Sequence, residues 1–161
     1  ILVNNAATIH TALFQMTSIK KLKELFETDF FSQTLFTQYI LKSMIKKKSG
    51  SILYISSSSA LDGNEGRSAY SSAKAAMIAQ AKVLSREVGI YNIRVNTIAP
   101  GLTDTDMMRK NTPKELINEV ISRISLKRIA NPEEIAKVAL LLSSDLSSYI
   151  TGQVIRVDGG M

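Results

Sequence analysis

The sequence predicts an α/β fold in which helices cover both faces of a parallel β-sheet. Four short apolar segments, at residues 1–4, 51–55, 94–99 and 154–157, are typical of buried strands. The segments between them are far longer than hairpin turns and carry the spacing of amphipathic helices. Strands that alternate with helices in this way form sheets whose two faces are both buried.

The first half of the chain supplies two of these strands and a long helix. Ile1 to Asn4 is the first predicted strand, and Ser51 to Ile55 is the second. The run Lys46-Lys47-Lys48 ends the helical region between them, where cations suit the negative end of the helix dipole. A further helix is predicted from Ser68 to Val88, with Gly89 closing it as a C-terminal glycine.

The second half supplies the other two strands, Arg94 to Ala99 and Val154 to Val157. Between them, Asn131-Pro132-Glu133-Glu134 predicts the start of a helix, because it places a capping amide, a proline and two acids at the first turn. We expect this helix to run to about Ser143.

Composition excludes several classes of protein. The 161 residues contain no cysteine and one histidine, His10, so we predict no disulfide scaffold and no metal site. The net charge of +6 permits nucleic-acid binding, but aromatic residues are few and basic ones are scattered, so we expect none. No apolar run reaches the roughly 18 residues of a membrane span, which leads us to expect a cytoplasmic protein without membrane contact.

The most informative segment is Tyr70-Ser71-Ser72-Ala73-Lys74. Residues four apart share one face of a helix, so the Tyr70 hydroxyl and the Lys74 ammonium can converge. A nearby cation favours the phenolate, and lowering a phenol pKa by about three units takes roughly 4 kcal/mol. The same pattern also occurs in ordinary amphipathic helices, so its surroundings decide its meaning.

Polar and small residues follow the predicted strands at the edge where open parallel sheets place their ligands. Ser57 lies just beyond the second strand, and Asn4-Asn5-Ala6-Ala7 follows the first. The third strand runs into Pro100-Gly101, followed by Thr103 and Thr105. These groups are expected to surround one crevice together with Tyr70.

These segments, together with several others in the same order, resemble the classical short-chain dehydrogenase/reductase family. Within it, the chain is most similar to the 3-oxoacyl-(acyl-carrier-protein) reductase group. The motifs that carry the resemblance span the chain: Leu2-Val3-Asn4-Asn5-Ala6, Ser57, Tyr70 to Lys74, Ile93-Arg94-Val95-Asn96, Pro100-Gly101, Tyr149-Ile150-Thr151-Gly152 and Val157-Asp158-Gly159-Gly160.

The resemblance implies a Rossmann-type doubly wound parallel sheet, of which this chain supplies strands 4–7 with flanking helices. The glycine-rich loop that cradles the cofactor pyrophosphate in the family does not occur in residues 1–161. We therefore expect 1–161 to be the C-terminal catalytic part of a single domain, preceded in the native gene product by a cofactor-binding start.

The resemblance also implies roles for individual residues. Tyr70 would be the general acid or base, Lys74 would lower its pKa and bind the nicotinamide ribose, and Ser57 would hold the substrate oxygen. The cofactor, NADP(H) or NAD(H), would contact a set of residues at the strand ends and on the helix: Asn4, Ala6, Tyr70, Lys74, Pro100, Gly101, Thr103 and Thr105.

One position departs from the family pattern. Asp29 stands where the family has a catalytic asparagine that helps to hold a water next to the lysine. A carboxylate can accept a hydrogen bond from that water, but its charge would oppose the effect of Lys74 on Tyr70. We therefore predict a working enzyme that is slower or shifted in pH dependence.

Substrate and partners stay open at this stage. A lid made of a loop over 103–112 and a helix over 113–122 would suit an acyl chain, yet relatives with similar lids act on sugars and other alcohols. The alternatives are a carrier-linked 3-oxoacyl reductase of fatty acid biosynthesis, a dehydrogenase of a sugar or small alcohol, and a non-catalytic fragment.

Two surface features bear on partners. Lys46 to Lys48, joined by Arg86 and Arg128, could form a landing site for an acidic carrier protein, or the lysines could simply be a solvated helix end. Two apolar stripes at helical spacing suggest core packing, and the resemblance implies that their helices pair in a homodimer or homotetramer: Leu35, Phe36, Tyr39, Ile40 and Met44, and Met77, Ile78, Ala81 and Leu84.

Overall fold

The computed structural model describes residues 1–161 and contains one four-stranded, fully parallel sheet. The strands lie side by side in chain order: β1 (Leu2–Asn4), β2 (Gly50–Ile55), β3 (Ile93–Pro100) and β4 (Val154–Val157). Leu2 pairs with Ile52, Ser51 with Arg94, and Ile98 with Ile155. The predicted α/β fold with a parallel sheet is confirmed.

Seven α-helices connect the strands: α1 (Ile19–Phe26), α2 (Ser32–Lys47), α3 (Ser59–Asp62), α4 (Ser68–Val88), α5 (Asp106–Asn111), α6 (Lys114–Arg123) and α7 (Pro132–Ser143). One wide turn of π-helix, Glu27–Phe31, joins α1 to α2. Such wide turns concentrate at functional sites, and this one contains Asp29.

Helices cover both faces of the sheet, as predicted. One core cluster joins α2 and α4 to the strands through buried side chains such as Met44, Tyr54 and Met77. The second cluster lies on the opposite face, where Leu142 of α7 packs against Leu53 and Ile98. The alternation of side chains along β2 explains the division, because Leu53 points to one face while its neighbours point to the other.

The predicted element bounds are confirmed closely, with two corrections. The helices Ser68–Val88 and Pro132–Ser143 and the strand Val154–Val157 are found as predicted. The first two strands differ from prediction by one residue at their start, and the third is longer by one residue at each end. Gly89, however, does not act as a left-handed cap: its φ is −57°, and Asn92 adopts the left-handed conformation with φ 56° after a short 3-10 turn. The segment predicted as a loop over 103–112 contains the helix α5.

Lys46, Lys47 and Lys48 lie at the amino end of β2, whereas the cavity residues follow the carboxyl ends of the strands. Lys48 adopts a left-handed conformation at the end of α2, immediately before β2 begins at Gly50. Six residues of strand, roughly 20 Å, separate this point from the carboxyl end of β2. A carrier protein bound at the lysines would therefore sit on the side opposite the crevice.

The two apolar stripes behave differently. On α4, Met77, Ile78 and Ala81 are buried in the core. On α2, Leu35, Phe36 and Tyr39 are exposed, so core packing does not account for them. No helix is long and apolar enough to span a membrane.

Candidate active site

A cavity of about 580 Å³ opens at the carboxyl end of the sheet. The loops that follow β1, β2 and β3 form its floor, α4 forms one wall, and α5, α6 and α7 contribute apolar side chains including Met107, Met108, Val120 and Ile135. Its only charged side chains are Arg67 and Lys74, since no aspartate or glutamate lines it. The crevice expected at the strand ends is therefore present, and it is electropositive.

Ser57, Tyr70 and Lys74 all line this cavity. Ser57 follows β2 and is held by Ser59, whose backbone N–H donates to Ser57 Oγ at 3.2 Å and whose hydroxyl lies 2.9 Å from it. Because these contacts use the acceptor side of Ser57 Oγ, its own O–H is left to donate to a ligand.

Lys74 is fixed at the end of β2. Its Nζ donates to the Ile55 carbonyl oxygen at 2.9 Å, and the Ser56 hydroxyl donates to the Lys74 carbonyl oxygen at 2.9 Å. The side chain is 2% exposed. Burial lowers the pKa of Lys74 to about 8, although the charge of Asp29 acts in the opposite direction.

Tyr70 does not show the predicted lowering of its pKa. Burial of the hydroxyl raises the pKa of Tyr70, and the negative charge of Asp29 adds to the rise, while Ser57 and Arg67 act to lower it. Lys74 Nζ lies 5.8 Å from the centre of the Tyr70 ring and is turned toward Ile55. The phenol is consequently protonated at neutral pH, which is the state that can donate a proton.

Asp29 is inaccessible to solvent and does not line the cavity. Its Oδ1 accepts hydrogen bonds from the Thr8 N–H at 2.7 Å and the Thr8 hydroxyl at 3.1 Å, while Oδ2 has no partner. Burial raises the pKa of Asp29, and the Thr8 N–H and then the charge of Lys74 act to lower it. Asp29 therefore acts on Lys74 and Tyr70 through space rather than by contact with a ligand in the cavity.

Two of the predicted cofactor residues, Asn4 and Ala6, do not line the cavity. Asn4 is buried, and its Nδ2 donates to Thr37 Oγ1 at 3.0 Å on α2. The Ala6 carbonyl oxygen accepts a hydrogen bond from Gln33 Nε2 at 2.8 Å. Both residues tie the chain after β1 to α2, and their neighbours Val3, Asn5 and Ala7 face the cavity instead.

The other six predicted residues do line it: Tyr70 and Lys74, and Pro100, Gly101, Thr103 and Thr105 after β3. A Cβ at Gly101 would lie 2.7 Å from Asp158 Cβ and 2.8 Å from its Cα, so this close approach of two backbones requires glycine. Thr105 Oγ1 accepts from the Met108 N–H at 3.2 Å and caps α5. That hydroxyl thus holds the start of the lid in addition to facing the cavity.

Sequence reasoning missed several residues that build the site. Ser59 and Thr8 orient Ser57 and Asp29, and Arg67 places a second cation in the cavity. Only Arg67 carries a usable signal, because it is a cation that immediately precedes the predicted helix of Tyr70 and Lys74. The contacts of Thr8 and Ser59 depend on loop geometry that no spacing rule gives.

A parallel sheet with a crevice at its carboxyl edge, and a tyrosine, lysine and serine facing that crevice, define a dehydrogenase-type α/β protein. A family model described as Enoyl-(Acyl carrier protein) reductase matches residues 1–161. The chain belongs to this short-chain dehydrogenase/reductase family.

Individual relatives agree with this membership. The chain is 47% identical over 161 residues to the 3-oxoacyl-(acyl-carrier-protein) reductase FabG of Chlamydia trachomatis, and 39% identical over 161 residues to that of Thermotoga maritima. It covers 64% and 65% of those proteins, respectively, so it spans less than two thirds of their length.

Solved structures share the fold. The 3-oxoacyl-(acyl-carrier-protein) reductase of Brucella melitensis is similar with a TM-score of 0.94 at 28% identity, over 99% of this chain and 61% of that one. A 4-hydroxyisoleucine dehydrogenase mutant complexed with NADH and succinate is similar with a TM-score of 0.93 at 29% identity, over 99% of this chain and 66% of that one.

The residues present fit the nicotinamide end of a dinucleotide cofactor. The cavity is large enough for a ring and a ribose beside a small substrate. The Lys74 ammonium has three N–H donors, and one of them bonds to the Ile55 carbonyl oxygen. The other two can donate to the hydroxyl groups of a ribose in the cavity. Residues 1–161 contain no glycine-rich phosphate loop, so only this end of the cofactor finds its contacts here.

Proposed function

We propose that residues 1–161 are the C-terminal catalytic part of a single-domain, NADP(H)- or NAD(H)-dependent oxidoreductase that interconverts a ketone and a secondary alcohol. The observation that carries this proposal is the convergence of Ser57, Tyr70 and Lys74 in one cavity at the carboxyl edge of the sheet. A bound nicotinamide would supply the hydride to the carbonyl carbon, or accept it in the reverse direction.

In the direction of reduction, Tyr70 donates its proton to the carbonyl oxygen. The raised pKa of Tyr70 keeps the hydroxyl protonated at neutral pH, and the alcohol is formed without a free alkoxide. Ser57 donates a second hydrogen bond to the same oxygen, because Ser59 already occupies its acceptor side. Two donors on one oxygen stabilise the negative charge that develops there.

Lys74 serves as the charged neighbour of Tyr70 and as a proton source. Its pKa of about 8 lies close to neutrality, so it can return a proton to the tyrosine after the transfer. The negative charge of Asp29 raises the pKa of both Tyr70 and Lys74. It therefore makes Tyr70 harder to deprotonate and Lys74 a weaker proton source. The predicted slow or pH-shifted enzyme follows from the same charge.

For the substrate we propose a 3-oxoacyl thioester, delivered on an acyl carrier protein as in fatty acid biosynthesis. The apolar side chains of α5, α6 and α7 offer a wall for an acyl chain, with Met107 and Met108 as its adaptable part. The relatives named as 3-oxoacyl-(acyl-carrier-protein) reductases support this choice.

A dehydrogenase of a small alcohol is the second candidate. It is favoured by the similarity to 4-hydroxyisoleucine dehydrogenase and by the arginine in the cavity, which suits a substrate that carries a carboxylate.

We further propose a cytoplasmic homodimer or homotetramer. The exposed apolar side chains Leu35, Phe36 and Tyr39 on α2 would be covered by a second subunit, since large apolar patches on a protein surface mark interaction sites. Sedimentation of the full-length protein and of a Phe36→Glu variant tests this part, and a monomeric parent protein would contradict it.

The enzymatic proposal is tested by turnover with the full-length protein. Acetoacetyl thioester is offered with NADPH or NADH, a small hydroxy acid is offered with the oxidised cofactors, and nicotinamide absorbance is followed. We expect reduction of the thioester, and loss of at least about a thousandfold in kcat for Tyr70→Phe. Absence of any turnover, with oligomerisation retained, would instead support a non-catalytic fragment.

A further inference from the structure

Arg67 combines two features that the reaction as described does not use. Its Nη2 donates to the Asn111 carbonyl oxygen at 3.2 Å, which links the start of α4 to the end of α5. Its Nη1 is buried and has no hydrogen-bond partner. A buried guanidinium N–H without an acceptor is uncommon, because such groups bear a desolvation cost that only a partner removes.

The position of Arg67 places this donor next to the reacting groups. Arg67 lines the same cavity as Tyr70 and immediately precedes α4, the helix whose first turn carries Tyr70. The two side chains also interact electrostatically, since the charge of Arg67 acts to lower the pKa of Tyr70. No carboxylate side chain in the cavity competes for the guanidinium.

We propose that Arg67 is a specificity-determining residue that binds, through Nη1, a second carbonyl-type oxygen of the substrate located two carbons from the reacting ketone. This inference rests on the proposed function. The oxygen would belong either to the carbonyl of a 3-oxoacyl thioester or to the carboxylate of a 3-oxo acid. A guanidinium is suited to both, because its fixed fork of donors matches planar oxygen acceptors.

The geometry of such a substrate agrees with the site. The ketone oxygen would lie on Tyr70 and Ser57 and the second oxygen on Arg67, since all three residues line one cavity. The bond of Arg67 to Asn111 then connects substrate binding to α5, the helix that covers the cavity.

The test compares three ketones with the full-length protein: an acetoacetyl thioester of N-acetylcysteamine, acetoacetate, and 2-pentanone, which lacks the second oxygen. Arg67→Gln removes the charge and keeps a polar side chain, and Arg67→Lys keeps the charge without the fork. Arg86→Gln, at the remote end of the same helix, is the matched control. Unfolding midpoints equal to the parent establish that each variant is folded.

We expect Arg67→Gln to lower kcat/KM about 10- to 100-fold for the substrate that carries the recognised oxygen, mainly through KM, with little change for 2-pentanone. A loss confined to the thioester identifies the thioester carbonyl, and a larger loss for acetoacetate identifies the carboxylate. An equal loss for all three ketones, or no loss, overturns the assignment to Arg67.

Direct binding separates this inference from the proposed function. Calorimetric titration of the thioester and of acetoacetate into the parent and Arg67→Gln proteins requires no turnover. Weaker binding to the variant supports Arg67 even if neither ketone is reduced, in which case the proposed reaction fails alone. Equal binding to both proteins contradicts the inference whatever the activity.

Discussion

Lys74 Nζ donates a hydrogen bond of 2.9 Å to the carbonyl oxygen of Ile55, the last residue of β2. This contact holds a cation inside the protein, where only one neutral oxygen and a distant carboxylate compensate for lost water. An amine in that position is harder to protonate than in the unfolded chain, and its pKa falls from 10.5 to about 8. The site is therefore maintained at a cost in stability.

The first prediction concerns that cost. Between pH 8 and 10.5 the unfolded chain binds a proton on Lys74 that the folded chain does not, so folding stability from this group rises with pH through that window and is lowest below pH 8. We expect Lys74→Met to raise the free energy of unfolding at pH 7 by about 1–3 kcal/mol while abolishing activity. Urea denaturation at pH 7 and near pH 10 measures the difference, and a variant less stable at pH 7 contradicts it.

Asp29 gives the second prediction. Its charge raises the pKa of Tyr70 and of Lys74, so Asp29→Asn lowers both. The rate of alcohol oxidation, which needs a deprotonated tyrosine, should then rise at a lower pH than in the parent protein. The pH–rate profile of the full-length variant measures this shift, and an unchanged profile would count against a through-space role. Glu87→Gln, an exposed change on α4, serves as the control.

The third prediction separates Ser57 from the residue that orients it. Ser57→Ala removes a donor to the reacting oxygen, and we expect kcat to fall about 100-fold or more. Ser59→Ala leaves the Ser59 N–H contact at 3.2 Å and removes only the hydroxyl contact, so a loss of about tenfold or less is expected. Steady-state kinetics of both variants check the ratio. Equal losses would show that Ser57 acts through structure alone.

The fourth prediction concerns Arg94 of β3. Its guanidinium donates hydrogen bonds to carbonyl oxygens at the carboxyl end of α7. Its Nη1 donates to the Leu142 carbonyl oxygen at 2.7 Å and to Ser147 Oγ at 2.8 Å, and its Nη2 donates to the Ser144 carbonyl oxygen at 3.0 Å. Arg94→Ala removes three hydrogen bonds and a cation from the helix end, while Ser51 Oγ still donates to the Leu142 carbonyl oxygen and Ser147 still donates to that of Ser144. We therefore expect a loss of about 1–3 kcal/mol in unfolding free energy. Arg86→Ala, which is exposed, should change stability by less than about 0.5 kcal/mol.

The parts of the fold that follow from local pattern could be predicted from the sequence. Pro132 and the acids after it mark the start of α7 correctly, and the alternation of long helices with short apolar strands gives the parallel sheet. Gly89 ends α4 as predicted, but a short 3-10 turn carries the chain onward and Asn92 supplies the left-handed residue.

The site is predictable where it depends on a helix and less so where it depends on loops. Tyr70 and Lys74 converge because helical spacing requires it, and the end of β2 brings Ser57 to them. Asn4 and Ala6 lie off the cavity because the chain after β1 is drawn toward α2 by Thr37 and Gln33. The pKa of Tyr70 is raised rather than lowered as the sequence predicts, because burial outweighs the effects of Ser57 and Arg67.

The helix α4 presents Tyr70 and Lys74 at one end and buries Met77, Ala81 and Val88 in the core along the rest of its length. The position of the reacting hydroxyl is thus set by aliphatic side chains that no substrate ever touches. A small cavity created at Met77 would let α4 shift toward the core, and the Tyr70 hydroxyl would move away from the substrate oxygen with it. A substitution in the core of α4 would therefore lower the catalytic rate under conditions in which the protein is still folded.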